Sequence, residues 1–171
     1  MIKILIKKYR KTFWSPERYA RHLGVKIGKG CDIQDITFST EPYLIEIGNH
    51  VQLTKGTKIF THGAAWVLRE KHKDIDFFGK VVIKDNVYVG NNSLIMAGVT
   101  IGNNVIVAAG SVITKNVPDN SIVGGNPAKI IGTIEDFEKR MLPYNVNSKR
   151  MSSVEKKKFL LSLPDDKFIK K

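Results

Sequence analysis

Only one cysteine, Cys31, occurs in the 171 residues. That excludes an internal disulfide framework and a multi-thiolate metal site within one chain. Long apolar runs are also missing, and every stretch falls well short of the roughly 18 residues that a membrane-spanning helix needs. The opening segment, Met1 to Lys8, is too short and too interrupted by lysine for a secretory signal core. On these absences the expected location is the cytoplasm. Acidic residues are few, 16 against 28 Lys and Arg. Aromatics make up 9% and are not interleaved with the basic residues on one surface, so nucleic acid is not an expected partner.

The charge that is present has a definite address. Residues 1–26 carry eight Lys/Arg against one Glu, and residues 134–171 carry ten against six. The stretch between them is close to neutral, with ten against nine. Basic ends of this kind are either solvated or attracted to anionic partners, among them phosphate-bearing ligands and the inner membrane surface, where weak association is expected.

The neutral middle is periodic. From Ile83 it divides into sixes: IKDNVY, VGNNSL, IMAGVT, IGNNVI, VAAGSV, ITKNVP. The first position is β-branched every time. The fifth is always Val or Ser. The fourth holds only Asn and Gly (Asn86, Asn92, Gly98, Asn104, Gly110, Asn116), the residues that adopt a positive φ most cheaply. Six is not a near-multiple of the helical period, and a Gly or Asn at each sixth position would weaken a helix throughout. The pattern predicts a short extended segment, a corner, and another short segment, three of which close a triangular coil of 18 residues. Stacked coils then pair their strands in parallel at about 4.8 Å. The same phase runs upstream through IGNHVQ from Ile47, LTKGTK from Leu53 and IFTHGA from Ile59, with an earlier turn starting at Ile27. Between 63 and 82 it fails and then resumes in phase, which predicts a loop pushed out of one corner.

The flanks read as helical. Ser15 caps a segment that opens on Pro16 and stops at Gly24, covering the open end of the first coil. Thr133 to Met141 reads as a second helix, and residues 148–163 hold a third, with Phe159, Leu160 and Leu163 on its apolar face. The expected organisation is a basic segment with a capping helix at 1–26, the coil at 27–133, and a helical segment and tail at 134–171.

The IGxN hexads followed by AAGSVITKNVPDNSIVGGNPAKII at 108–131 resemble the hexapeptide-repeat acyltransferases, the superfamily of galactoside, maltose and serine acetyltransferases. The block EPYLIEIG…FTHGAAW at 41–66 is most similar to the polysaccharide O-acetyltransferases of that group. The resemblance covers residues 27–133. It implies an all-β fold, a left-handed parallel β-helix, with sheet handedness opposite to the usual crossover rule. It also implies a homotrimer with active sites between subunits, acetyl-CoA as co-substrate, no metal, and a sugar or polysaccharide hydroxyl as acceptor.

Site residues follow in part from spacing and in part from the resemblance. His62 falls in the fourth, corner column at the last point before the loop. The bland reading is a corner residue tolerating positive φ. The resemblance assigns it as general base, taking the proton from a substrate hydroxyl as the oxygen attacks the thioester. No acyl-enzyme is required, so Cys31 reads as a small buried residue. Glu41, about one coil earlier, is the candidate for orienting His62, and with Gln34 it is a candidate for contacting the acceptor. Alignment on the family motifs implies coenzyme contacts at Asn91, Ala109, Thr114, Lys115 and Lys129. The two lysines suit phosphate as point charges. On the predicted loop, Trp66 and Arg69 are an aromatic and a base able to stack on and hydrogen-bond a sugar.

Three other readings compete. An amine or small molecule could replace the sugar as acceptor. A zinc centre on the same coil would need three His ligands, yet His22 lies in the capping helix, and His50 and His62 are spaced for different corners. A scaffold that kept the coil and lost the reaction would have no use for His62 beside an intact coenzyme segment.

Overall fold

The computed structural model describes residue 9 and residues 12–170. The lysine-rich opening at 1–8 lies outside the described residues. Two units are present, residues 1–134 and residues 135–171.

The first unit is the coil, a left-handed parallel β-helix with three sheets. The first contains β1 (Lys26–Ile27), β4 (Ile45–Ile47), β7 (Val81–Ile83) and β10 (Thr100–Ile101). The second contains β2 (Asp32–Ile33), β5 (Gln52–Leu53), β8 (Val87–Val89), β11 (Val105–Val107), β13 (Ser121–Gly125) and β14 (Ala128–Thr133). The third contains β3 (Thr37–Phe38), β6 (Lys58–Ile59), β9 (Leu94–Ile95) and β12 (Val112–Ile113). First-position residues fill the prism: Ile47, Leu53, Ile59, Ile83, Val89, Ile95, Ile101, Val107 and Ile113 are all buried. Each such side chain contributes about 1.5–3 kcal/mol by leaving water.

The fifth column sorts by corner. Where the second sheet turns into the third, it holds Thr57, Ser93 and Ser111, whose hydroxyls donate to the carbonyls of Thr54, Gly90 and Ala108 at 2.8, 2.7 and 2.6 Å. These buried hydroxyls are therefore satisfied. At the corner between the first and second sheets the same column holds Val51, Val87 and Val105, all buried.

The positive-φ column also matches, at Gly30, His50, Gly56, Asn86, Asn92, Gly98, Asn104 and Gly110. It fails at Asn116 and His62. Ile27 pairs with Ile47, Ile47 with Ile83, Ile83 with Ile101 and Ile101 with Val117, so successive coils take 20, 36, 18 and 16 residues. The last coil is two residues short at the corner after β12. Val117 thus takes an inward first position and is 6% exposed, while the Asn116 side chain accepts the Thr100 N–H at 2.8 Å. The expectation of parallel coil up to 133 is corrected as well. The parallel strands of the second sheet end with β13, and β14 runs back antiparallel to it as that sheet's last strand.

At the other end, α1 (Pro16–Leu23) covers the first coil. Ser15 Oγ accepts the Arg18 N–H, and Gly24 ends the helix at φ 104. Ala20 is fully buried, and the Arg21 guanidinium donates to the carbonyls of Ile27 and Gly28. In the second unit, α2 (Ile134–Met141) is followed by α3 (Ser153–Ser162), which carries a Ser152–Glu155 capping box. Among the described residues no helix is long and apolar enough to cross a membrane.

Candidate active site

The corner between the third sheet and the first is where the chain departs from the coil. Phe38 pairs with Ile59, so counting three residues on from each brings Glu41 and His62 to the same place in adjacent coils. Glu41 precedes the short 3-10 turn Pro42–Leu44, whose Pro42 is buried. His62 opens the loop. It pairs with Phe78 across the loop's neck, and the Gly79 N–H donates to the Thr61 carbonyl at 2.8 Å. Gly79 is required there, since a Cβ would stand 2.3 Å from the backbone nitrogen of Gly98. The loop's left-handed residue is Ala64, at φ 62, so positive φ does not account for a histidine at position 62.

Glu41 Oε2 lies 2.7 Å from His62 Nδ1, and Ser39 Oγ lies 3.2 Å from the same nitrogen. An ionised carboxylate only accepts, so Nδ1 carries a proton, and in the neutral imidazole Nε2 keeps its lone pair. Thr61 Oγ1 donates to Glu41 Oε2 at 2.8 Å, and Thr40 Oγ1 donates to Oε1 at 2.5 Å. These hydroxyls and the imidazole outweigh partial burial, and the Thr40 hydroxyl most of all, so the Glu41 carboxyl is held down at about 2. The Phe78 ring stands edge-on to the imidazole with centroids 6.1 Å apart. The arrangement is a half-exposed imidazole fixed by a carboxylate that is ionised at neutral pH, suited to accepting a proton at Nε2.

Ser39, Thr40 and Thr61 escaped the sequence reading. The burial of Thr61 sets it apart: the same third hexad position holds Lys29, Asn49, Lys55, Asp85, Asn91, Ala97, Ala109 and Lys115, all exposed, and Asn103, half-buried. Thr61 alone in that column is fully buried, under the Glu41 carboxylate.

The other candidates divide between corners. Asn91 and Ala109 are exposed and stacked at the corner between the second and third sheets, where the Gly110 N–H donates to the Asn91 carbonyl at 2.8 Å. Lys129 is exposed on β14 opposite Gly124, at the same edge of the second sheet. Thr114 and Lys115 are exposed at the His62 corner, two coils further along. Gln34 does not join His62. It sits at the Asn91 corner, where its Oε1 accepts the Lys55 N–H at 3.1 Å. Trp66 is 79% exposed on the loop, and Arg69 lies 3.7 Å from Asp76. His50 is tied to the Asn86 side chain at 2.7 Å, at a different corner from His62. Cys31 is half-buried, with Sγ 3.2 Å from the Gly48 carbonyl.

Residues 80–115 match the family described as Bacterial transferase hexapeptide (six repeats). Over 166 residues, 95% of each chain, the sequence is 48% identical to Protein CapG of Staphylococcus aureus. It is 29% identical over 162 residues to the galactoside O-acetyltransferase of Lactococcus lactis, covering 79% of this chain and 77% of that one. Among solved structures, the hexapeptide-repeat acetyltransferase VCA0836 of Vibrio cholerae, complexed with acetyl coenzyme A, superposes with a TM-score of 0.59 at 32% identity. That match covers 64% of this chain and 60% of that one.

Proposed function

The chain belongs to the hexapeptide-repeat acetyltransferase family, and on that premise we propose that it moves an acetyl group from acetyl-CoA to a sugar hydroxyl, with His62 as general base. The observation that carries this reading is the 2.7 Å contact between Glu41 and His62 Nδ1, which leaves Nε2 free beside an extruded loop. His62 Nε2 takes the proton of the acceptor hydroxyl, and the oxygen attacks the acetyl carbonyl carbon. The C–O bond forms, the C–S bond breaks, and the departing thiolate recovers the proton from His62. Acetyl ester and free coenzyme A leave. Glu41 stabilises the transient imidazolium and holds its ring.

Thr114 and Lys115 share the His62 corner, while Asn91, Ala109 and Lys129 line the opposite edge of the third sheet. A homotrimer in which one edge faces the other edge of the next subunit would bring both groups onto a single coenzyme, the lysines pairing with its phosphates. The acceptor class is supported by the relative named for galactoside O-acetylation, with surface polysaccharide as the substrate class. An acceptor screen with labelled acetyl-CoA tests the reading. Label on sugar hydroxyls supports it, and label only on amines, or on no acceptor, contradicts it.

A further inference from the structure

Beside the His62–Glu41 pair, and not containing either residue, lies a cleft of about 380 Å³ between α1 and β3. One wall is Pro16, Tyr19 and Leu23 of the capping helix, and the other runs from Asp35 to Thr40. Two of its lining residues also hold the pair: Ser39 Oγ contacts His62 Nδ1 at 3.2 Å, and Thr40 Oγ1 contacts Glu41 Oε1. The cleft therefore ends one side chain away from the proposed base.

Its chemistry is mixed in a particular way. Tyr19 offers a half-buried aromatic ring with a polar tip, and Phe38 and Ile36 add half-buried apolar surface. At the end of the cleft away from His62, where the second sheet turns into the third, Asp35 brings an exposed carboxylate, its backbone fixed by the Gly56 N–H, which donates to the Asp35 carbonyl at 2.9 Å. Thr37 and Ser39 supply hydroxyls. A pyranose presents an apolar C–H face bordered by vicinal hydroxyls, and an aromatic ring facing a carboxylate and hydroxyls suits both parts. A hydrophobic acyl chain would leave Asp35 unused, and a phosphate would meet that carboxylate as a like charge.

We infer that this cleft is a second acceptor subsite, holding the sugar ring next to the one acetylated at His62. The inference rests on the proposed sugar O-acetylation and sharpens its substrate class: the preferred acceptor is at least two sugar rings long. Tyr19 stacks on the neighbouring ring, and Asp35 accepts hydrogen bonds from its hydroxyls.

The test uses the full-length protein, acetyl-CoA, and a panel of methyl glycosides with their matching disaccharides. With the wild-type protein a disaccharide should show a KM about tenfold below that of its methyl glycoside. Tyr19→Ala and Asp35→Asn should each erase most of that advantage, leaving the monosaccharide kcat/KM and the acetyl-CoA KM within about twofold. Because Tyr19 lies on the capping helix, Asp35→Asn at an exposed corner guards against a folding defect. No disaccharide advantage, or one that both variants retain, overturns the subsite while the acetyl-transfer reading stands. Failure to acetylate any sugar in the panel overturns the parent reading and the subsite with it.

Discussion

The Glu41 carboxylate and the His62 imidazole meet at 2.7 Å although 21 residues separate them in the chain. Parallel stacking makes that contact. A difference of one coil in sequence becomes a single strand spacing in space. The separation is 21 residues instead of 18 because the first coil is longer than the regular repeat, as the pairing of Phe38 with Ile59 records.

Replacing Glu41 by Gln keeps the shape and removes the charge. The variant loses the charged hydrogen bond that fixes the Nδ1–H tautomer. A fall in kcat of roughly 10- to 100-fold is expected, with acetyl-CoA KM little changed. Steady-state kinetics checks this, and an unchanged kcat would show that His62 needs no orienting carboxylate.

Thr61 should behave as a positioning residue. Thr61→Val leaves the volume and deletes the bond to Glu41 Oε2, so kcat should drop by about three- to tenfold. Thr61→Ser restores the hydroxyl and should recover most of the rate. If both variants lose activity equally, the role is packing.

Acid titration offers a separate check. The contacts around Glu41 hold its carboxyl at about 2, below the ordinary glutamate value of 4.5. A carboxyl depressed in the folded state stabilises the fold above its unfolded pKa, and that stabilisation is lost as pH falls through the folded value. The window is therefore from about 4.5 down to about 2. Thr40 supplies the largest of the lowering contacts, so Thr40→Val should move the Glu41 titration upward. Carbon-13 NMR of the labelled carboxyl reads this directly, and an unmoved midpoint would remove Thr40 from the account.

The corner column yields a separate stability test, at the coil that stacks on the His62 corner. Gly98 adopts φ 83 with nothing within 4 Å of a built Cβ, so only backbone strain opposes a side chain there. Gly98→Asn should be close to neutral, while Gly98→Val should cost about 1–2 kcal/mol. Thermal unfolding should separate the two, and equal losses would mean that residue volume decides.

Much of the fold could be read from the sequence because period and residue type coincide. The buried first column and the Asn/Gly corners each report a local backbone requirement, visible without knowing the neighbours. Coil length is different. Asn116 has the right residue type at the right count, yet the coil is two residues short there, and only the pairing of Ile101 with Val117 reveals it. The site divides in the same way. His62 stood out at the edge of a broken repeat, and Glu41 by its distance of about one coil. Ser39, Thr40 and Thr61 are ordinary hydroxyl residues until the fold turns Thr40 and Thr61 toward the Glu41 carboxylate and Ser39 toward the His62 imidazole. Gln34, close to Glu41 in sequence, sits at another corner because a few residues along a coil are enough to change sheets.

The central claim is that His62 takes the acceptor proton. Thioester turnover by the purified protein should be compared with that of His62→Ala, with acetyl-CoA and an accepted sugar, and folding verified by circular dichroism. The account predicts a loss of about 10²- to 10⁴-fold in kcat, with acetyl-CoA KM held. Equal turnover by the two proteins would contradict it.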